Sequence, residues 1–282
     1  MKTLPIFNSL GPEATRRWRL LGLTTIVVLL GACSSLKPIA DFGKNGSVVA
    51  GHPGVATDYQ DSLNREHDYS GSPASNEEVA QRKADARRLQ TAQNTLASYA
   101  KALGGLAADD IANYDKDIDA LNKSIVSGKF ATSAQTDLYA TVAKLGASAV
   151  TEFYRRRKIE TIIKTYNPAI QKASISLVKT VNAYMHGLED EKKALQDTAG
   201  PAEQSTEQGF RAMFKVTERN ELAKLAEKED DAQGLIKGIQ TFARGHQELA
   251  NNVGKADIKA TADIAKKYAD ALKGVIDKFH SS

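Results

Sequence analysis

Only two of the seven prolines, Pro168 and Pro201, lie beyond residue 74. A proline inside a helix removes a backbone donor and clashes with the preceding turn, so a long proline-poor stretch leaves room for long helices. The apolar residues there recur at three- and four-residue spacing, as in Ile111, Tyr114, Ile118, Leu121 and Ile125. No segment alternates apolar and polar residues with the period of two that a half-buried strand requires. The fold class that follows is all-α: an elongated antiparallel helical bundle with long, coiled-coil-like helices.

Start and stop signals set the expected helices. Ser75 with Glu78 forms a capping box and opens a helix that Gly104-Gly105 should stop near Leu103. Asp109 or its neighbour caps the next, which Ser127-Gly128 ends. Thr132 with Gln135 is a second capping box, opening a helix expected to reach Tyr166. Asn167-Pro168 reads as a cap and first-turn proline for a helix to about Thr198, with a stripe of Ile175, Val178, Val181, Met185 and Leu188. Ala199-Gly200-Pro201 is the next expected break. One very long helix should then reach about Asn251, with Gly234 and Gly238 as points of interruption, and a last one starts near Asp257. Residues 75–282 therefore read as a single all-helical domain. Residues 33–74, with prolines 38, 53 and 73 and several glycines, read as a tether carrying short helices such as Asp58–Asp68. Phe42, Val49, Tyr59 and Leu63 indicate that part of it packs on the body.

Arg16, Arg17 and Arg19 precede an uncharged run from Leu20 to Leu30, followed by Gly31, Ala32 and Cys33. A basic stretch, a short apolar run and a small-residue exit describe a secretory signal peptide over residues 1–32. The run is shorter than the roughly 20 residues a spanning helix needs. Leu30-Gly31-Ala32-Cys33 resembles the lipobox of bacterial lipoproteins. The resemblance implies cleavage between Ala32 and Cys33, with diacylglycerol on the sulfur and an N-acyl lipid on the amine. Several acyl chains on one residue give stable anchoring where one chain would be marginal. Cys33 is the only cysteine, which excludes an internal disulfide and any Cys-built metal site. The resemblance also implies that Ser34, in the place where Asp marks inner-membrane retention, sorts the protein to the outer membrane.

The net charge of +4 does not point to nucleic acid. Four of the 38 Lys and Arg and one of the 34 acidic residues lie in residues 1–32, leaving 34 against 33 in the mature chain. Arg155, Arg156, Arg157 and Lys158 form the strongest basic run, a candidate contact for anionic headgroups or an acidic partner, or a solvated collar pairing with Glu152 and Glu160. Glu227 to Asp231 is its acidic counterpart. His186 and Glu189 share a helix face, but a carboxylate-bridged metal site needs further Glu-x-x-His units, so no metal, cofactor or catalytic residue is assigned. The expected function is a structural or protein-interaction module held at the envelope by its lipid, with an unidentified envelope protein as partner. Self-association through Ala-rich helices is compatible with it. An exclusion- or immunity-type inhibitory lipoprotein uses the same parts. A ligand-binding protein or enzyme would need a pocket, for instance around His186 or His246, and membrane remodelling would need a more basic interfacial helix.

Overall fold

The computed structural model describes residues 36–132, 134, 135, 137, 139, 151–205, 207–254 and 258–279. Its helices are α1 (Lys37–Ala50), α2 (Gly54–Ser70), α3 (Asn76–Ala108), α4 (Ile111–Ser127), α5 (Glu152–Ser205), α6 (Gln208–Asn252) and α7 (Ile258–Phe279). No strand occurs among the described residues, and the architecture is an elongated helical bundle. Helix α5, of 54 residues, is about 80 Å long at 1.5 Å per residue.

The segment expected as a tether is integral to this bundle. Helix α1 packs against α3, α6 and α7, and its Phe42, Val49 and Ala50 are fully buried. Gly43 and Gly46, residue types that signal a linker, are contact points. A methyl group on Gly43 would lie 2.5 Å from Gly104 N and 2.6 Å from Ala100 O. One on Gly46 would lie 2.5 Å from the Phe242 ring. Gly104, expected to stop α3, is the opposite side of the same crossing, and α3 continues past it to Ala108. The pair brings two backbones together where any side chain would hold them apart. Pro38 sits in the first turn of α1 and Pro53 in the N-cap position of α2, so neither interrupts a helix. Helix α2 joins the body through Val55, Tyr59 and Leu63.

Both later proline breaks are also overridden. Pro168 and Pro201 lie inside α5. At Pro168 one backbone bond is lost, while Ala169, Ile170, Ala173 and Leu177 immediately beyond it are fully buried and hold the helix in place. Helix α6 runs past Gly234 and Gly238 without interruption, and a methyl on Gly238 would meet Val49 of α1 at 2.4 Å. Helix α5 starts afresh at residue 152, where Thr151 Oγ1 accepts from Tyr154 N–H at 3.3 Å. The expected single helix from Thr132 to Tyr166 is therefore broken at Thr151, where this cap sits. The Ser75–Glu78 capping box forms as expected, as does the Thr132–Gln135 pair.

Between Leu195 and Leu225 no described residue is buried. Thr198 Oγ1 donates to Tyr69 O at 2.6 Å and Tyr69 OH donates to Glu221 at 3.3 Å, so α2 clasps both helices near the ends of this stretch. Beyond these bonds α5 and α6 continue as a projecting two-helix tip.

Candidate functional site

Two polar clusters are built into the apolar core. In the first, His246 lies on the buried stripe of α6 with Phe242 and Leu249. Its Nδ1–H donates to Asn167 Oδ1 at 2.9 Å, and its Nε2 accepts from Tyr99 OH at 2.5 Å. Asn167 Nδ2 donates to Gln247 Oε1 at 2.9 Å, and Gln171 Nε2 donates to Ala243 O at 2.9 Å, so the network ties α3, α5 and α6 together. Burial holds the imidazole neutral by pushing its pKa down to about 3, and holds the Tyr99 phenol protonated. Asn167, expected as a helix cap, serves this network instead.

The second cluster joins α2 to α5 and α6. Arg65 grips Asp58 with two bonds of 2.9 and 2.7 Å and reaches the fully buried Glu191 at 2.9 Å. Tyr184 OH donates to Asp58 at 2.6 Å, and Lys228 closes the cluster on the other Asp58 oxygen. Two carboxylates thus face two cations. Burial raises the pKa of Glu191 to about 6 against the opposing pull of Arg65. At Asp58 burial also works upward, but bonds from Arg65, Lys228 and Tyr184 outweigh it and hold the carboxyl below its usual range. No group of His, Cys, Asp and Glu suited to a metal ion occurs among the described residues. Both clusters read as fasteners of the bundle.

The basic run lies at the end of the bundle where the described chain begins. Leu36, Ile39, Arg156, Ile159, Val253 and Thr261 surround one small crevice there. Arg155 pairs with Asp109, outside the run's own helix, and Arg156 pairs with Glu160 at 3.3 Å. Arg157 lies 5.1 Å over the ring of Phe153, which is 67% exposed. Desolvation lowers the pKa of Lys158. The run is thus partly neutralised within the fold, and its outer part is an aromatic and basic face. The acidic cluster is far from it: Glu229 pairs with Lys192, some 35 residues or about 50 Å further along α5. His186 and Glu189 do share a face, at 3.2 Å, on the solvent side of α5.

Cys33, Ala32 and Ser34 lie outside the described residues, as does His280. His52 stacks on Phe279 at 4.2 Å, and His67 Nδ1 bonds Ser72 O at 2.8 Å, so both are structural. Two surface features escape the sequence reading. At the projecting tip, Phe210, Met213 and Val216 are 54%, 54% and 55% exposed on one side of α6. Midway along the rod, Ile175 is 70% exposed although it belongs to the expected core stripe. The true buried stripe of α5 is Ile170, Ala173, Leu177, Val181, Tyr184, Leu188 and Glu191. No helix among the described residues is long and apolar enough to cross a membrane. No protein-family model matches the chain, and no curated protein or solved structure matches it.

Proposed function

We propose that the chain is a lipid-anchored helical module of the bacterial envelope that presents a protein-binding tip at a fixed distance from its membrane. The carrying observation is the shortness of the link. Leu36 is already buried in the bundle, so only Ser34 and Ser35 separate it from Cys33, a reach of about 10 Å. A body so closely attached has its orientation limited by its own end. That end carries Phe153 and Arg157, a residue pair suited to an anionic interface.

The opposite end lies about 70 Å away, the length of α5 from Arg156 to Ser205. Its exposed Phe210, Met213 and Val216 are too far out to touch the anchoring membrane. An apolar face held there fits a protein partner in the envelope.

Metabolic acyl labelling with membrane fractionation tests the anchor, and photocrosslinking from residue 213 tests the tip. The wild type should take label, and Cys33→Ala should lose both label and membrane association. A crosslink from residue 213 should reach one defined envelope protein and disappear with Phe210→Ser. A soluble, unlabelled wild type would overturn the anchor, and unchanged crosslinking in Phe210→Ser would overturn the tip.

A further inference from the structure

We infer that the open groove between α5 and α6 at mid-rod is a binding site for a slender apolar chain ending in a phosphate or carboxylate. This goes beyond the anchor and tip, and it stands or falls independently of them. The groove has a volume of about 670 Å³, within the usual range of small-ligand sites. It runs from Gln171 to Asn182 along α5, about 16 Å.

Its floor is apolar. Ile175, Val178 and Ala243 line it, and the 70% exposure of Ile175 is costly for a branched aliphatic residue unless something covers it. Its charged residues have one sign. Lys179 and Arg244 both line the groove, and no carboxylate does. Neither cation is held in an ion pair among the described residues; the one bond from Arg244 is a 3.3 Å contact to Gln240 O within its own helix. A third observation comes from the wall. Ser174 is 97% buried and lines the groove, yet its hydroxyl has no hydrogen-bond partner. Serine in a helix ordinarily returns its hydroxyl to a carbonyl one turn back, and a buried polar atom without a partner costs free energy. The oxygen is closed to solvent, so it meets a ligand oxygen only when the Ser174 side chain rotates toward the groove.

The wall is also rigid. Gln171 and Gln247 line the groove and are both bound into the His246 network, Gln171 through Ala243 O and Gln247 through Asn167. An acyl-like chain would cover Ile175 and Val178 with its anionic end at one of the two cations, which stand at opposite ends of the groove: Gln171 bonds Ala243 O, so Arg244 is level with Gln171 and Lys179 lies about 12 Å further along α5.

The test uses the full chain in phosphatidylcholine nanodiscs, labelled at isoleucine methyl groups. It is titrated with octyl phosphate, octanoate and octanol while the Ile175 methyl signal is followed. The expected result is a saturable shift with at least one anionic probe, and binding of octanol at least tenfold weaker. Tighter binding of octyl phosphate would identify a phosphate ester as the natural ligand type; tighter binding of octanoate would identify a free carboxylate. Lys179→Gln with Arg244→Gln should weaken the anionic probe tenfold or more and leave octanol unchanged. Both substituted side chains are exposed, and an unchanged thermal melt verifies that the double variant folds. The proposal is overturned if no probe gives a saturable shift, if octanol matches the anionic probes, or if the double variant binds like the wild type.

Discussion

Acidification should weaken this fold through His246, by an amount that follows from its burial. The imidazole is neutral in the folded state, with its pKa pushed down to about 3, and in the unfolded chain it returns to about 6.5. Because the folded value lies below the unfolded one, the stabilisation is complete above pH 6.5 and drains away as the pH falls toward the folded value. Between pH 7 and pH 5 only the unfolded state takes up this proton, so the loss is about 2 kcal/mol, or about 25-fold in the unfolding constant. Glu191 works in the other direction. Its raised pKa makes the folded state take up a proton first, near pH 6, which offsets about 1 kcal/mol over the same interval. The assay is therefore a comparison of urea unfolding at pH 7, 6 and 5 between wild type and His246→Gln, which keeps polar atoms but cannot titrate. The variant starts lower and should lose about 2 kcal/mol less on acidification than the wild type. Equal losses in the two proteins would refute the argument, as would a His246 ring signal that titrates near pH 6.5 in the folded protein.

Two further perturbations probe the packing and the ionic fastener. Gly43→Ala would place a methyl group within 2.6 Å of the α3 backbone, so overpacking of about 1–3 kcal/mol or more should outweigh the gain of up to about 1 kcal/mol in helix propensity. A thermal melt that rises in Gly43→Ala would contradict the close crossing. Arg65→Met should destabilise by about 3–5 kcal/mol because it leaves the Glu191 carboxylate buried without its main partner. Arg65→Met combined with Glu191→Leu should recover much of that loss, and a double variant no better than the single one would show that Glu191 was not the strained group.

The class of fold was legible because helix periodicity and the lack of alternation are local properties. So were the capping boxes at Ser75 and Thr132, where each partner lies three residues from the other. The character of residues 37–70 was harder to read. Gly43 and Gly46 have the composition of a linker, and only the approach of Gly104 and Phe242, distant in sequence, reveals them as packing residues. Pro168 misleads for a related reason, since burial on either side of a lost hydrogen bond can carry a helix through it; no buried residue flanks Pro201 in the same way. The polar clusters left a fainter trace. Glu191 falls at the three-residue step after Leu188 and four before Leu195, and His246 four after Phe242, each a polar residue on an apolar stripe. Their partners Arg65 and Tyr99 lie 126 and 147 residues away, beyond any local pattern. Ile175 fits a three-residue step to Val178 and Val181, but it lies about 140° round the helix from buried Ile170, which leaves it on the outer side.

The central claim is a rod standing on one end, and distance from the bilayer tests it most directly. With Cys33 carrying lipid, a cysteine introduced by Phe153→Cys or by Gln208→Cys is the one free thiol for a donor dye. The acceptor is placed in the lipid headgroups of vesicles, with a transfer range shorter than the rod. Efficient transfer from position 153 and little from position 208, about 70 Å further out, is the predicted result. Equal transfer from both positions would mean that the rod lies flat, and transfer only from position 208 would mean that it is held by its other end.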